Sequence, residues 1–422
     1  MSLKIEHASL EQLQETLPRL LSSLTIGRAQ IVLEQLRSNL QNRPHDEILF
    51  YLARKENESE LPPQVDQTKT SSPIAALIAI QQPCTDEVAF SDAATILHAG
   101  FLQNHAADVS SASAPNLDRN NQDPNRHEQP HDQDAIITQM RKYVDRAFSD
   151  RGIRFVQWAT DATDHIGLSA KQWYDGLGFR QIATLDYLTG NTGPMNPDNP
   201  DNRDARASEK SLDTERPQIE VKLRPVAWDC DESRLTFTRL VEATYAGTLD
   251  CPDLSQYRTT SETLRGYQTS TSFAPDLWFE VMDPSNPDGT PIGCMILAKH
   301  GEAAEHGEAA EHGEAPEHGE AAENSQPELS DQKSHGKHDP APAAEGPVLE
   351  IVYMGLLPET RGKGFGRLLV DQAAKLAMAL GGTRIILGVD QTNRPAREIY
   401  ADKGMTPLLS ETVWVKRVES GI

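Results

Sequence analysis

The chain has 422 residues, too many for one ordinary core, and only 37% of them are hydrophobic, so we expect about two or three domains with some unpacked segments. Its formal net charge of −23 argues against binding to nucleic acids or to anionic membranes, because both would repel an acidic surface. The sequence shows no apolar leader, no apolar run long enough to span a bilayer and no C-x-x-C pair among its four cysteines, so we expect a cytoplasmic protein with free thiols.

The first part of the chain combines one polar segment with two periodic ones. Residues 104–133 are rich in Asn, Asp, Ser and Pro and have little to bury, which predicts an unpacked insertion. Ile136–Phe148 has the apolar spacing of a helix, and Ile153–Ala159 has the pattern of a strand. We therefore predict a first domain over residues 1–188.

Two further polar segments divide the rest of the chain. Residues 189–217 have the composition of a linker, which leaves a second domain over residues 218–422. Residues 300–346 contain near-copies of G-E-A-A-E-H, and a period of six residues fits neither a helix nor a strand. The repeated histidines are too far apart for known metal-ligand spacings, so we predict a solvated insertion and no metal site.

The second domain begins with four periodic segments. Glu220–Val226 alternates like a strand, and Glu232–Tyr245 is apolar at helical spacing. Leu277–Met282 and Ile292–Ala298 are apolar runs joined by a connector rich in Pro, Asn, Asp and Gly, which predicts a β-hairpin.

Five more elements are predicted after the insertion. Val348–Leu357, Arg384–Val389 and Val413–Val418 read as strands, and Gly366–Leu380 and Pro395–Asp402 read as helices. Strands and crossover helices in this order predict an α/β fold of the α+β type, in which helices flank a mixed, mostly antiparallel sheet.

A glycine-rich turn lies between the first of these strands and the helix that follows it. The turn consists of Arg361, Gly362, Lys363, Gly364, Phe365, Gly366 and Arg367. Glycines let backbone N–H groups close around a phosphate, and the helix dipole and the basic side chains add to the attraction. The spacing fits neither a dinucleotide fingerprint nor a Walker loop, so we predict another phosphate-bearing cofactor, with a ligand-free helix start as the alternative.

The string V-Y-M-G-L-L-P, the turn R-x-x-G-x-G and the string V-D-Q-T-N-R-P-A-R-E-I-Y together resemble the GNAT superfamily of N-acyltransferases. The resemblance runs from Val348 to Val418, with both signature motifs in order. It implies acetyl-CoA as co-substrate and transfer of the acetyl group to an amine by direct attack on the thioester. Another acyl group or acceptor, or a CoA-binding sensor without catalysis, remains the alternative.

The resemblance also implies roles for individual residues. The backbone of Gly355, Leu356 and Leu357 would pair with the pantetheine arm, and the main-chain amides of the turn would bind the diphosphate. Asn393 matches a polar residue beside the arm, although it also suits a helix cap. Tyr400 matches the tyrosine that protonates the leaving thiolate, although it also suits a core position.

The remaining chemistry needs a base and an oxyanion donor. We predict Glu350 as the base, since some family members use a glutamate on this strand, with a solvent-facing carboxylate as the alternative. A backbone N–H near Leu356 would serve as the donor. Asp250 or Asp253 is a hypothetical site for the acceptor's ammonium group, and a helix-ending turn with solvated acids is the alternative.

The first domain repeats part of the second. The same spacing of Ala, Tyr and Gly recurs after 226 residues (396 minus 170), at Ala170, Tyr174 and Gly178 and at Ala396, Tyr400 and Gly404. No R-x-x-G-x-G turn occurs in the first copy. We therefore predict two tandem GNAT-like domains, of which the first is degenerate and non-catalytic.

Overall fold

The computed structural model describes residues 3–42, 44–55, 73–82, 92–102, 130–162, 168–192, 220–268, 273–286, 288–301 and 346–418. Most of the three predicted polar segments, 104–133, 189–217 and 300–346, lies outside these residues, including the repeated histidines. In the described part of the chain, no helix is long and apolar enough to cross a membrane.

The strands are β1 (Leu3–His7), β2 (Ile48–Lys55), β3 (Pro73–Gln81), β4 (Ala93–Phe101), β5 (Phe155–Asp161), β6 (Arg180–Asn191), β7 (Lys222–Pro225), β8 (Trp278–Met282), β9 (Pro291–His300), β10 (Val348–Leu356), β11 (Arg384–Asp390) and β12 (Thr406–Arg417). The helices are α1 (Leu10–Leu21), α2 (Ile26–Asn42), α3 (Pro130–Asp150), α4 (Leu168–Gly176), α5 (Asp231–Thr244), α6 (Thr260–Gln268), α7 (Phe365–Ala379) and α8 (Arg394–Asp402).

All twelve of these strands form one sheet, in the order β1-β2-β3-β4-β5-β12-β6-β11-β10-β9-β8-β7. The contacts between β4 and β5 and between β10 and β11 are parallel, and the other contacts are antiparallel. The predicted fold class, a mixed and mostly antiparallel sheet flanked by helices, is confirmed.

Two halves of the chain repeat the same elements, as the tandem prediction requires. Both ends of α8 lie 226 residues after the ends of α4 (394 minus 168), and both ends of β12 lie 226 residues after those of β6 (406 minus 180). In each half a parallel pair of strands, a helix and a final long strand follow one another in this order.

The final strands are exchanged between the halves. β12 pairs with β5 of the first half, β6 pairs with β11 of the second, and β6 and β12 pair with each other. The predicted domain boundary between residues 188 and 189 falls inside β6, which continues to Asn191. Each half therefore completes the sheet of the other.

Four of the described helices cover each face of the sheet. On β12, Val413 and Val415 pack against the segment that joins α5 to α6, and Glu411 pairs with Arg28 of α2. Trp414 points to the opposite face, into the core that α3 and α4 form. Since side chains alternate along a strand, α1, α2, α5 and α6 share one face, and the core contacts place α7 and α8 on the other with α3 and α4.

Candidate active site

A cleft opens where β10 and β11 separate. The two strands pair in parallel only from Val348 to Ile351 on β10. Beyond Ile351, β10 follows β9 as far as Leu356, whereas β11 follows β6 as far as Asp390. An extra residue, Val352, interrupts the β10–β9 register at this point, and such a bulge bends the strand away from its neighbour.

Only some of the backbone N–H groups at the end of β10 point into this cleft. The N–H of Leu357 donates to the carbonyl of Ile292 over 2.9 Å, and its carbonyl accepts from Thr360, so both groups of Leu357 are already used. Bonding alternates along an antiparallel ladder, so Gly355 also turns towards β9, and Leu356 turns away from it into the cleft. Of the three residues predicted to pair with the cofactor arm, only Leu356 presents its N–H there.

Gly355 has a packing role in the same segment. A Cβ atom at this position would lie 2.5 Å from Oγ1 of Thr244, the last residue of α5, and 2.8 Å from the hydroxyl of Tyr353. Those two oxygens are themselves 2.8 Å apart and hydrogen-bonded. The missing side chain thus lets the end of α5 lie directly against β10.

We expect Gly355→Ala to destabilise the protein, because the new methyl group must displace Thr244. Overpacking of this kind costs about 1–3 kcal/mol, which denaturant unfolding would measure. Gly362→Ala is the control for bulk, since a Cβ there would meet no atom within 4 Å, although its φ of +72° adds some strain. A Gly355→Ala protein as stable as the wild type would contradict the close contact.

The predicted phosphate-binding turn leads from β10 into α7. Gly362 and Gly364 have φ values of 72° and 90°, which only glycine adopts without strain. Gly364 is the N-cap of α7 and provides no side-chain bond to the first turn of the helix. A Cβ at Gly366 would lie 3.0 Å from Cδ1 of Ile399, so this glycine lets α7 approach α8. The arrangement is an open helix N-terminus, which suits a phosphate.

The basic side chains of the turn are mostly engaged elsewhere, contrary to the expectation that all of them attract the phosphate. Arg361 donates to the carbonyls of Leu356, Gly247 and Thr244 over 3.1, 3.1 and 2.8 Å. Arg361 therefore ties the turn to the end of α5 and to β10. Arg367 pairs with Asp402 of α8, and Lys363 is exposed.

Asn393 bonds to Asp250 near the cleft, and the charge of Asp250 acts on Tyr400. Tyr400 is 6% exposed, and burial and the carboxylate of Asp250 raise the pKa of its hydroxyl. Asn393 caps α8 by accepting from the N–H of Ala396, and its Nδ2 also donates to Oδ2 of Asp250 over 2.8 Å. The other oxygen of Asp250 accepts from the N–H of Asp390 over 3.1 Å. The cap and the cleft contact of Asn393 are therefore both present.

The structure separates the two acids considered for the acceptor. Asp250 lies against the end of β11, and burial raises the pKa of its carboxyl group. Asp253 instead accepts from Gln256 one turn later. Between them, Cys251 has a left-handed φ of 43°, the type of strain that often marks functional loops. Burial, followed by Asp390 and Asp250, raises the pKa of the Cys251 thiol to about 12, so it stays protonated.

Glu350 lies just before the bulge of β10 and pairs with His300. Nε2 of His300 lies 2.6 Å from Oε2 of Glu350, and both side chains are half-buried. The hydrogen bond to Glu350 raises the pKa of His300 above its usual 6.5. Sequence reasoning missed His300 because residue 300 was assigned to the insertion, whereas it ends β9. Its position next to an apolar strand was the only signal.

The raised pKa of His300 makes this ion pair pH-dependent. A pKa that is higher in the folded state adds stability below the unfolded value near 6.5, and that stability is lost as the pH rises through the folded value. His300→Gln should therefore destabilise the protein more at about pH 5.5 than at about pH 8.5 in urea unfolding. In a Glu350→Gln background, His300→Gln should destabilise the protein equally at both pH values. A remaining difference there would exclude the ion pair as the source of the pH dependence.

The first half contains the same strand separation. β4 pairs with β5 only from Ala93 to Ile96, and Leu97 is the extra residue against β3. His98 follows it and bonds to Ser23 over 3.3 Å, as Tyr353 bonds to Thr244 in the second half. The bulge and the divergence of the strands are thus common to both halves.

Aromatic side chains occupy this region of the first half. Tyr174, which corresponds to Tyr400, stacks on Trp414 with ring centroids 4.4 Å apart. Trp173 contacts Phe101 at 5.0 Å, and Trp158 contacts Tyr174 at 4.7 Å. These residues belong to one buried core, which supports the prediction of a degenerate first domain.

Comparison with known proteins gives one family. Residues 257–405 match the sequence profile of the Acetyltransferase (GNAT) family. The chain is similar to the mycothiol acetyltransferase of Beutenbergia cavernae, at 39% identity over 59 residues, 14% of this chain and 20% of that protein. It is 35% identical to that of Thermobispora bispora over 69 residues, 16% of this chain and 23% of the relative. The match thus spans about a fifth of the length of these curated relatives.

Two solved structures are similar over the whole chain. A GCN5-related N-acetyltransferase from Sphaerobacter thermophilus is 12% identical, with a TM-score of 0.43 and coverage of 100% of this chain and 97% of that one. A tandem GNAT protein from the clavulanic acid biosynthesis pathway is 11% identical, with a TM-score of 0.42 and coverage of 100% of both chains. The part of the chain that matches the profile of the GNAT family of acetyltransferases, residues 257–405, contains both the glycine turn and Tyr400.

Proposed function

We propose that the protein transfers an acetyl group from acetyl-CoA to an amine, and that the second half carries out the reaction. The observation that carries this proposal is the cleft between β10 and β11, with the open turn at Gly362 and Gly364 on one side and Tyr400 and Asn393 on the other. In the first half, aromatic side chains occupy the corresponding region.

The residues of the turn fit a diphosphate. Gly362 has open space around its Cα, and the first turn of α7 has no side-chain cap to compete for its N–H groups. The N–H of Leu356 is available within the cleft, where it would donate to the oxygen of the thioester as negative charge develops. Arg361 holds the carbonyl of Leu356, which fixes the orientation of this segment.

Tyr400 and Glu350 supply the proton transfers in this proposal. The amine nitrogen attacks the thioester carbonyl, the carbon–sulfur bond breaks, and Tyr400 donates its hydroxyl proton to the leaving thiolate. Its raised pKa keeps the hydroxyl protonated until that step. Glu350, with His300 as its partner, accepts the proton that the amine loses. The match covers only about a fifth of the length of the mycothiol acetyltransferases, so their acceptor is not assumed for this chain.

The proposal is tested by thiol release and by calorimetry on the full chain. We expect acetyl-CoA to bind and to release free CoA only when a suitable amine is present. Binding without thiol release across a broad amine panel would instead indicate a CoA sensor. No binding at all would reject the proposed function, and preferential turnover of longer acyl-CoA would correct the acyl group.

A further inference from the structure

A small pocket lies along the segment that joins α5 to α6. The pocket has a volume of about 240 Å³ and is lined by this segment and the first turn of α6. Its lining includes Asp250 and Arg258. Sites for drug-sized ligands run from about 300 to 1,000 Å³, so the pocket suits a small molecule.

Arg258 has donors to spare. Its Nη2 donates to the carbonyl of Glu262 over 2.6 Å, which is the one hydrogen bond of its guanidinium among the described residues. One face of the guanidinium lies over the ring of Phe155, with Cζ 4.9 Å from the ring centroid. A guanidinium carries five N–H donors in a planar fork, so this bond leaves further donors for an anion.

The surroundings leave the charge of Arg258 in place. Burial lowers the pKa of its guanidinium, and the nearby Asp92 and Glu262 oppose this shift, whereas Arg265 adds to it. An arginine remains protonated at any physiological pH. Thr248 and Ser255 also line the pocket. The lining of the pocket thus includes both a cation and a carboxylate.

We propose that this pocket binds the acceptor and that the acceptor is a small amine that also carries a carboxylate, such as a free amino acid. Arg258 binds the carboxylate through N–H groups that the bond to Glu262 leaves free, and the amine lies at Asp250. This inference rests on the proposed acetyl transfer and adds the class of acceptor to it.

Strand β5 of the first half and strand β12 of the second half hold this pocket in place. Leu254 and Tyr257, which precede Arg258 in sequence, pack against Phe155 and Val415. Arg417 donates to the carbonyl of Gln256 over 2.5 Å. Because Phe155 begins β5, the first half helps to position Arg258, and this gives the first half a role in acceptor selection.

The test compares matched acceptors on the full chain. Free L-amino acids, their carboxamides and the corresponding decarboxylated amines are assayed for thiol release from acetyl-CoA. We expect the wild-type protein to prefer the free acids, and we expect Arg258→Gln to lower kcat/KM for them by about 10- to 100-fold through KM, the range of a lost charged hydrogen bond. Turnover of the decarboxylated amines should stay the same. Arg265→Gln, which removes an equal charge outside the pocket lining, should change neither.

The outcomes separate this inference from the proposed function. Equal kcat/KM for the free acids and for their carboxamides or decarboxylated amines would overturn the inference and leave acetyl transfer intact. An equal loss for all acceptors in Arg258→Gln, with acetyl-CoA binding and unfolding unchanged, would also overturn it. If Arg258→Gln unfolds, Arg258→Lys replaces it, since a point charge without the fork should still weaken binding. Failure to release thiol with every amine would reject both proposals.

Discussion

Replacing the hydroxyl of Tyr400 should lower kcat by about 100-fold and leave the affinity for acetyl-CoA unchanged. General acid catalysis typically contributes about 10²- to 10⁴-fold, and a thiolate is a good enough leaving group to place the effect at the low end of this range. The ring of Tyr400 belongs to the core that includes Phe365 and Leu369, so Tyr400→Phe keeps its packing. Steady-state kinetics with the preferred amine would measure kcat, and calorimetry would measure cofactor binding.

The repeat provides a matched control for this substitution. Tyr174 occupies the corresponding position of the first half, is similarly buried and stacks on Trp414. Tyr174→Phe should therefore leave kcat within about twofold of the wild type. A Tyr400→Phe enzyme with full activity would remove the general-acid role and leave Tyr400 as a core residue. A loss of similar size in both variants would point to packing as the cause.

The elements that the sequence predicted are those whose pattern is local. The helix after the turn was predicted over Gly366–Leu380 and forms over Phe365–Ala379, because its apolar stripe is contained within the helix itself. Apart from β5, the strands of the first half, such as β3, were not predicted. Nearly every residue of β3 is buried on one face or the other, so its sequence lacks the alternation of a half-exposed strand.

The last strand was predicted too short for a non-local reason. The sequence placed it over Val413–Val418, but β12 begins at Thr406 and includes Pro407. Residues Thr406 to Val415 pair with residues of β6, which lie more than two hundred positions earlier in the chain. No local sequence pattern indicates that pairing. The sequence motifs predicted a mixed, mostly antiparallel sheet, but they did not predict the exchange of the final strands between the halves.

The candidate site shows the same division. The turn, Asn393 and Tyr400 were found because they lie in a continuous motif, and all of them lie at or near the cleft. The contact between Asp250 and Asn393 joins residues 143 positions apart, so the sequence left Asp250 and Asp253 as equal candidates. Arg361 was assigned to the phosphate by its charge, but its three bonds to carbonyls depend on where α5 ends.

The exchanged strands predict that neither half folds alone, whereas the two halves should assemble when they are produced together. A fragment of residues 218–422 leaves β11 without β6 and β12 without either of its partners. Exposed ladder edges of this length favour aggregation or pairing with another copy. Fragments 1–217 and 218–422 should each be insoluble or oligomeric alone. When coexpressed with a tag on one of them, they should copurify as a one-to-one complex with cooperative thermal unfolding.

A deletion at the C-terminus also tests the exchange of the final strands. Removing residues 404–422 takes β12 from the second half, but the loss should unfold the first half, because Trp414 is 7% exposed and stacks on Tyr174. Near-ultraviolet circular dichroism would register the lost packing of Trp158 and Trp173, which share that core. A soluble, monomeric 218–422 fragment that melts cooperatively and binds acetyl-CoA would contradict the exchange, because its β11 and β12 would then have found partners within a single half.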